Sequence, residues 1–344
     1  MGVACKRLTP RINMLNYKSE TPEISVIIPV YNAAGTIRSA LTSVFRQTFE
    51  NIQIIVINDG STDSSLKQVQ ALTDPRLEIH SYPNSGVCAA TNRGMEKATG
   101  EYIAFLDADD FWAPEKLASQ LNALRHHPEV GVVYSQVNAV DSQGKFLFRY
   151  PFSSASGNVR SRIMESCFIA SGSNLLIKKD CLKHTGFYNP SLVCFGDWEY
   201  AIRLARRYQF LAVHDYHINY RYQNDSLSAN VFQMEKDGLA VITEHVARPF
   251  RSEAEAARAF IYRHLTFVAL FRTNDPGRYR LALRYLAESA RHSPRSVISI
   301  EYFRLFTAGM LLACLPGSTS GPCRRWLFKT YNGLSNLMRR QKTC

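Results

Sequence analysis

Three stretches of this 344-residue chain place carboxylates and amides where they could do chemistry. Asp107-Ala108-Asp109-Asp110 follows an apolar run at 102–106. In extended backbone, carboxylates two residues apart point the same way. Two such hard oxygen donors suit Mn²⁺ or Mg²⁺, which keep waters and bridge to phosphate oxygens. The same residues also read as a solvated acidic turn or a helix start, since Asp favours caps. Asn58-Asp59-Gly60-Ser61-Thr62-Asp63 closes a second apolar run. An acid there can accept hydrogen bonds from a nucleobase N–H or a ribose hydroxyl. Gly60 turns the chain, and Ser61, Thr62 or Asp63 caps the next helix, Asp63 reading as a cap rather than a ligand. Gly196-Asp197-Trp198-Glu199 opens a helical pattern. Asp197 is then either a residue favoured by the helix dipole or a general base held at a helix start.

These residues need elements to position them. Residues 24–30 form a nearly continuous β-branched run, the pattern of a strand buried on both faces. Ile37, Leu41, Val44 and Phe45 recur at helical spacing. Residues 52–57 predict a second buried strand, 77–82 a weaker one, 87–98 a helix and 102–106 a fourth strand. The alternation implies a mostly parallel sheet flanked by helices, an α/β fold. In such sheets ligands bind outside the carboxyl ends of the strands. Those ends are Tyr31-Asn32, 58–63 and 107–110, so the acidic clusters converge. Farther on, the pattern predicts a helix from Pro114, strands at 130–135 and 174–178, and a helix over 198–208. Residues 141–170 read as irregular. From about 231 the composition is helical and Arg-rich. This divides the chain into a loose tail (1–22), a catalytic domain (23–230) and a basic helical region (231–344).

Composition narrows the class. With 46% hydrophobic and 20% charged residues, disorder is excluded. The net charge of +12 is uneven: residues 241–344 hold 17 Lys/Arg and 6 Asp/Glu. A surface seeking an anionic partner therefore belongs to the last third, in the apolar-basic segments 259–271 and 303–315. That stretch reads either as a helical extension packed on the catalytic domain or as a peripheral contact with an anionic membrane. It lacks an aromatic-basic nucleic-acid motif. The eight cysteines include no Cys-x-x-Cys and read as reduced thiols. No secretory leader or membrane-spanning run is seen, and Lys6 stands where myristoylation wants Ser or Thr. The expected location is the cytoplasm, with contact at the inner membrane face as an option. Walker, dinucleotide-fingerprint, nucleophile-elbow and His-Glu-x-x-His patterns are absent. His214 and His217 read as surface or core residues.

Taken in order and spacing, the motifs resemble glycosyltransferase family 2, of the GT-A fold. The matching stretches are 25–32, 58–63, Asn84-Ser85-Gly86 leading to Asn92-Arg93-Gly94, 98–110 and 196–199 with Arg203-Leu204-Ala205. The resemblance covers about 23–230. It implies an inverting, non-processive transferase that moves a sugar from a nucleotide-activated donor, most often UDP in the family, to an acceptor hydroxyl of a glycan or lipid-linked glycan, as in surface polysaccharide synthesis. It implies nucleotide-sugar contacts at Pro29, Tyr31, Asn32, Asp59, Asn84, Asp107 and Ala108, a Mn²⁺ or Mg²⁺ ion on Asp109, and Asp197 as catalytic base. The sequence departs from the family in four places. Asn58 stands where an acid is common, Gly196 where Glu is common, Thr91 where Arg is common and Gln223 near a usual His. Gln-x-x-Arg-Trp, the processive-synthase motif, is absent. The competing reading is a catalytically weak scaffold that binds nucleotide-sugar or glycan.

Overall fold

The computed structural model describes residues 21–222, 229–245, 251–272, 277–294 and 300–313, with Cys323 and Leu327. The tail 1–20, Gln223 and the basic stretch 328–344 lie outside the described residues.

The chain begins with β1 (Ile24–Val30), α1 (Ile37–Phe45), β2 (Ile52–Asp59), α2 (Ser65–Gln70), β3 (Leu77–Tyr82), α3 (Val87–Lys97) and β4 (Tyr102–Phe105). It continues through β5 (Phe111–Trp112), α4 (Lys116–His126), β6 (Val130–Val140), β7 (Phe146–Arg149), α5 (Arg160–Glu165) and β8 (Leu176–Lys178). After α6 (Leu182–Thr185) and α7 (Gly196–Ala205) comes β9 (Gln209–Arg221). The described helices of the last third are α8 (Val231–His245), α9 (Arg251–Phe271), α10 (Arg278–His292) and α11 (Ile300–Ala313).

The strands form one mostly parallel sheet in the order β3-β2-β1-β4-β8-β6-β9-β5, with β7 beside β6. The first four run parallel, with Ile27 opposite both Ile55 and Phe105. Alternate residues of β1 and β2 feed two different cores. Ile27, Ile55 and Ile57 enter the one that also holds α5, α7 and α9. Val26, Ile28, Ile54 and Val56 enter the one beneath α1 and α4. That two-sided burial makes the runs continuously apolar, each Ile or Val contributing about 1.5–3 kcal/mol. It also aligns the carboxyl ends of β1, β2 and β4 at one edge.

Helices α8 to α11 are not a separate layer. Met234, Ile261, Leu265, Leu286 and Leu312 share the apolar core of Ile163 and Trp198. The described part of the basic region is thus a packed extension. On its outer side α11 exposes Phe303, Phe306, Met310 and Leu311. No described helix is long and apolar enough to cross a membrane. The five described cysteines are free thiols.

Several expected boundaries move. The strand expected over 174–178 is only Leu176–Lys178, because 172–174 forms a tight turn. The helix expected over 198–208 runs Gly196–Ala205. Residues 141–170 are not all irregular, for they carry β7 and α5. The longest strand, β9, stood in no expectation. Its His214-Asp215 interruption breaks the apolar alternation, and pairing to both β6 and β5 supplies what local pattern does not.

Candidate active site

The site is one cavity of about 2610 Å³ at the carboxyl edge of the sheet. Pro29, Tyr31, Asn32, Asp59, Asn84, Asp107, Ala108, Asp109 and Asp197 all line it.

At one end, Asp59 builds the floor. It is buried at the close of β2. Its carboxylate accepts from the Ser85 N–H at 3.1 Å, the Gly86 N–H at 2.9 Å and Arg93 Nη1 at 3.0 Å. Asn84 Nδ2 donates to the Asp59 carbonyl at 3.0 Å. The Arg93 guanidinium lies 4.6 Å from the Tyr82 ring centre. Asp59 thus holds the 84–86 loop in place while facing the cavity. Thr91 stands where the family commonly has an arginine; Arg93, one half-turn on, makes this ion pair. Asn32 Oδ1 accepts from the Thr62 N–H at 2.8 Å, tying the first two strand ends together. Asp63 accepts from the Ser65 N–H at 2.9 Å and the Ala34 N–H at 3.1 Å, so it acts as a cap and strap.

In the middle stand the acids after β4. Asp110 is fully buried and structural: it accepts from Ser171 Oγ at 3.0 Å, Ser173 Oγ at 2.6 Å and the Arg221 N–H at 2.9 Å. Arg221 Nε donates to the Asp109 carbonyl at 2.7 Å. Asp107 and Asp109 are half-buried and line the cavity. The Asp107 N–H donates to Ser173 Oγ at 3.0 Å. Across the cavity, Asp197 starts α7 and accepts from the Trp198 N–H at 2.8 Å. Gly172 lies between the two acids. A Cβ there would sit 3.2 Å from Asp107 Oδ2 and 3.6 Å from Asp197 Cβ.

The electrostatics follow from this crowding. Burial, then Asp109 and Asp197, push the Asp107 carboxyl up to about 7. Burial raises Asp109 as well, against Arg221 and Arg272, and burial raises Asp197. Like-charged, desolvated carboxylates cannot all ionise without a counter-charge. A hard divalent cation fits Asp107 and Asp109 and would lower both.

Two backbone features were invisible in the sequence. Among the described residues, three that are not glycine adopt left-handed backbone: Asn32 (φ 47°), Ala170 (φ 62°) and Phe195 (φ 61°). All three line the cavity. Each costs about 1–2 kcal/mol, strain of the kind that gathers at functional sites. Gly196 is explained by packing, since a Cβ there would lie 2.5 Å from Cys88 Sγ. The acid common in the family at this position has no room here.

Sequence reasoning also missed the wall built by the last third. Arg263, His264, Phe267 and Arg272 of the α9 segment and Arg304 of α11 line the same cavity. Arg272 stacks 4.5 Å from the Tyr222 ring centre and bonds Tyr220 Oη at 3.5 Å. Spacing at 260, 263/264 and 267 was the available signal, but it reads as an ordinary amphipathic face. A further acid–base group, Glu199 with His245 and Glu244, lies between α7 and α8. Arg203 binds both Glu199 oxygens at 2.6 and 2.7 Å and His245 Nε2 lies at 2.7 Å, so this group is an internal ion-pair network.

An α/β sheet with acids at the ends of its parallel strands and a helix-start carboxylate opposite defines a GT-A-type fold. The chain belongs to the glycosyltransferase-like family 2, whose model matches residues 25–263. A curated relative from Rickettsia bellii, an uncharacterized glycosyltransferase, is 36% identical over 159 residues, 46% of this chain. The match spans only 23% of that relative's length. Among solved structures, S. aureus TarS 1–349 in complex with UDP matches with a TM-score of 0.53 at 18% identity, covering 90% of each chain. The mannosyltransferase PcManGT from Pyrobaculum calidifontis, in complex with GDP-Man and Mn²⁺, matches with a TM-score of 0.55 at 20% identity, covering 93% of this chain and 87% of the other.

Proposed function

We propose that the protein is an inverting, metal-assisted glycosyltransferase that moves a sugar from a nucleoside-diphosphate donor to a hydroxyl of a glycan or lipid-linked glycan. The observation that carries this reading is the meeting of Asp107 and Asp197 beside Gly172, with Asp109 lining the same cavity. The nucleotide belongs at the Asp59 end, where Pro29, Tyr31, Asn32 and Asn84 gather. UDP is the first candidate, since it is bound by one structural neighbour; GDP, bound as GDP-Man by another, is the second. Asp107 and Ala108 would meet the ribose and diphosphate, and Asp109 would hold Mn²⁺ or Mg²⁺. When bound, that ion offsets the charge growing on the departing diphosphate.

The chain's own residues do the rest. Asp197 takes the proton of the acceptor hydroxyl as the new glycosidic bond forms. Its raised pKa makes it a better base than an exposed carboxylate. The bond to the diphosphate breaks on the opposite face, so one base suffices and the configuration inverts. The Trp198 N–H, 2.8 Å away at the start of α7, orients that carboxylate. Surface polysaccharide synthesis at the inner face of the cytoplasmic membrane is the setting this chemistry suits. The exposed apolar side of α11 beside the basic last third supports contact with an anionic membrane.

Asp197→Asn tests the reading. It should bind nucleotide as wild type does and lose transfer by about 10²–10⁴-fold. Transfer within tenfold of wild type would assign the proton to another group, whereas no transfer by wild type itself would favour the scaffold alternative.

A further inference from the structure

The cavity is larger than a donor needs. Small-molecule sites usually occupy about 300–1,000 Å³, against about 2610 Å³ here. Its acids and its arginines come from different elements, and of the arginines Arg272 also reaches Asp109. The lining carboxylates are Asp59, Asp107, Asp109 and Asp197, all at the sheet edge or the start of α7. The lining cations come from elsewhere, among them Arg162 of α5, Arg263 of α9 and Arg304 of α11.

The α9 wall lies on the Asp197 side. His264 packs edge-on to Phe195 at 6.1 Å, two residues before Asp197, and Phe260 packs on Trp198 at 5.7 Å, one residue after it. Arg263 adjoins His264 on α9, and α11 packs against the same helix. The fields of Arg272 and Arg263 both reach His264, which burial and these two arginines push down to about 4, leaving the ring neutral. The cationic groups of this end are therefore arginines, which keep their charge at any physiological pH. Arginine forks bind phosphate and carboxylate in paired hydrogen bonds.

We propose that this end of the cavity binds an anionic acceptor, a glycan bearing a phosphate or carboxylate near the hydroxyl that is glycosylated. The inference rests on Asp197 marking the acceptor side; it is read by binding alone, so its outcome is separable from the transfer assay on Asp197→Asn.

The test uses the full chain saturated with UDP and Mn²⁺. Calorimetry compares a phosphorylated mannan oligosaccharide, an oligogalacturonate and neutral dextran oligosaccharides of equal length. At least one anionic probe should bind tenfold or more tighter than dextran, and which one distinguishes phosphate from carboxylate. The double substitution Arg263→Gln, Arg304→Gln should remove that preference while UDP affinity stays within twofold, which also shows the variant is folded. Equal or undetectable binding of all three probes overturns the proposal. So does a preference that survives in the double variant, which would place the anion on the outer basic surface. Loss of UDP affinity instead would assign these arginines to the donor diphosphate and also overturn it.

Discussion

Removing the charge of Asp107 should make the metal-free protein more stable. Burial and the neighbouring Asp109 and Asp197 push its carboxyl up to about 7 from an ordinary 3.8. A carboxyl raised on folding weakens the fold at pH above its unfolded value. The loss begins near pH 4, grows as pH rises, and is complete just above the folded value. About three units at 1.36 kcal/mol each make a penalty of roughly 4 kcal/mol at pH 8 and under about 2 kcal/mol at pH 5. Asn has nearly the same shape and leaves the backbone N–H bond of residue 107 to Ser173 Oγ in place. Asp107→Asn should therefore gain about 2–4 kcal/mol at pH 8 and less than half of that at pH 5. Guanidinium unfolding in EDTA at both pH values measures it. Saturating Mn²⁺ should narrow the gap, stabilising wild type, whose crowded charges it offsets, more than the variant, which keeps Asp109. A variant less stable than wild type at pH 8, or a gain equal at both pH values, would refute the crowding of carboxylates on which the site assignment rests.

Two further substitutions probe the frame around these acids. Arg93→Ala leaves the buried Asp59 carboxylate with only its backbone donors; it should cost about 3 kcal/mol of stability, between a charged hydrogen bond and a broken buried pair, and weaken UDP binding, both seen by thermal unfolding with and without UDP. Unchanged values would detach the ion pair from the nucleotide end. Gly196→Glu, which restores the acid common in the family, should destabilise by about 1–3 kcal/mol through overpacking on Cys88. Adding Cys88→Ala should recover most of the loss, and no recovery would place the cost elsewhere.

What the sequence made legible depended on burial. Strands β1, β2 and β4 are covered on both faces, so their runs are unbroken and their carboxyl ends stand out as polar residues after apolar ones. That puts Asp59, Asp107 and Asp109 at one edge before any coordinates exist. The meeting of Asp107 with Asp197, ninety residues on, depends on a tight turn at Gly172 that no periodicity signals. The left-handed Phe195 and the Asp59–Arg93 pair are likewise long-range outcomes. Strand β9 was missed because its exposed His214 and Asp215 break alternation while its pairing to β6 does not. The α9 wall was missed for the opposite reason. Phe260, Arg263, His264 and Phe267 look like any amphipathic helix, and only packing against Phe195 and Trp198 turns that face toward the cavity.

The acids after β4 should hold a divalent ion that in turn holds a nucleoside diphosphate. Calorimetry of UDP binding in Mn²⁺ and in EDTA, on wild type and Asp109→Asn, tests it most directly. Binding in Mn²⁺ should weaken at least tenfold in EDTA and be lost in the variant even with metal present. UDP binding of equal strength in EDTA, or in the variant, would contradict it.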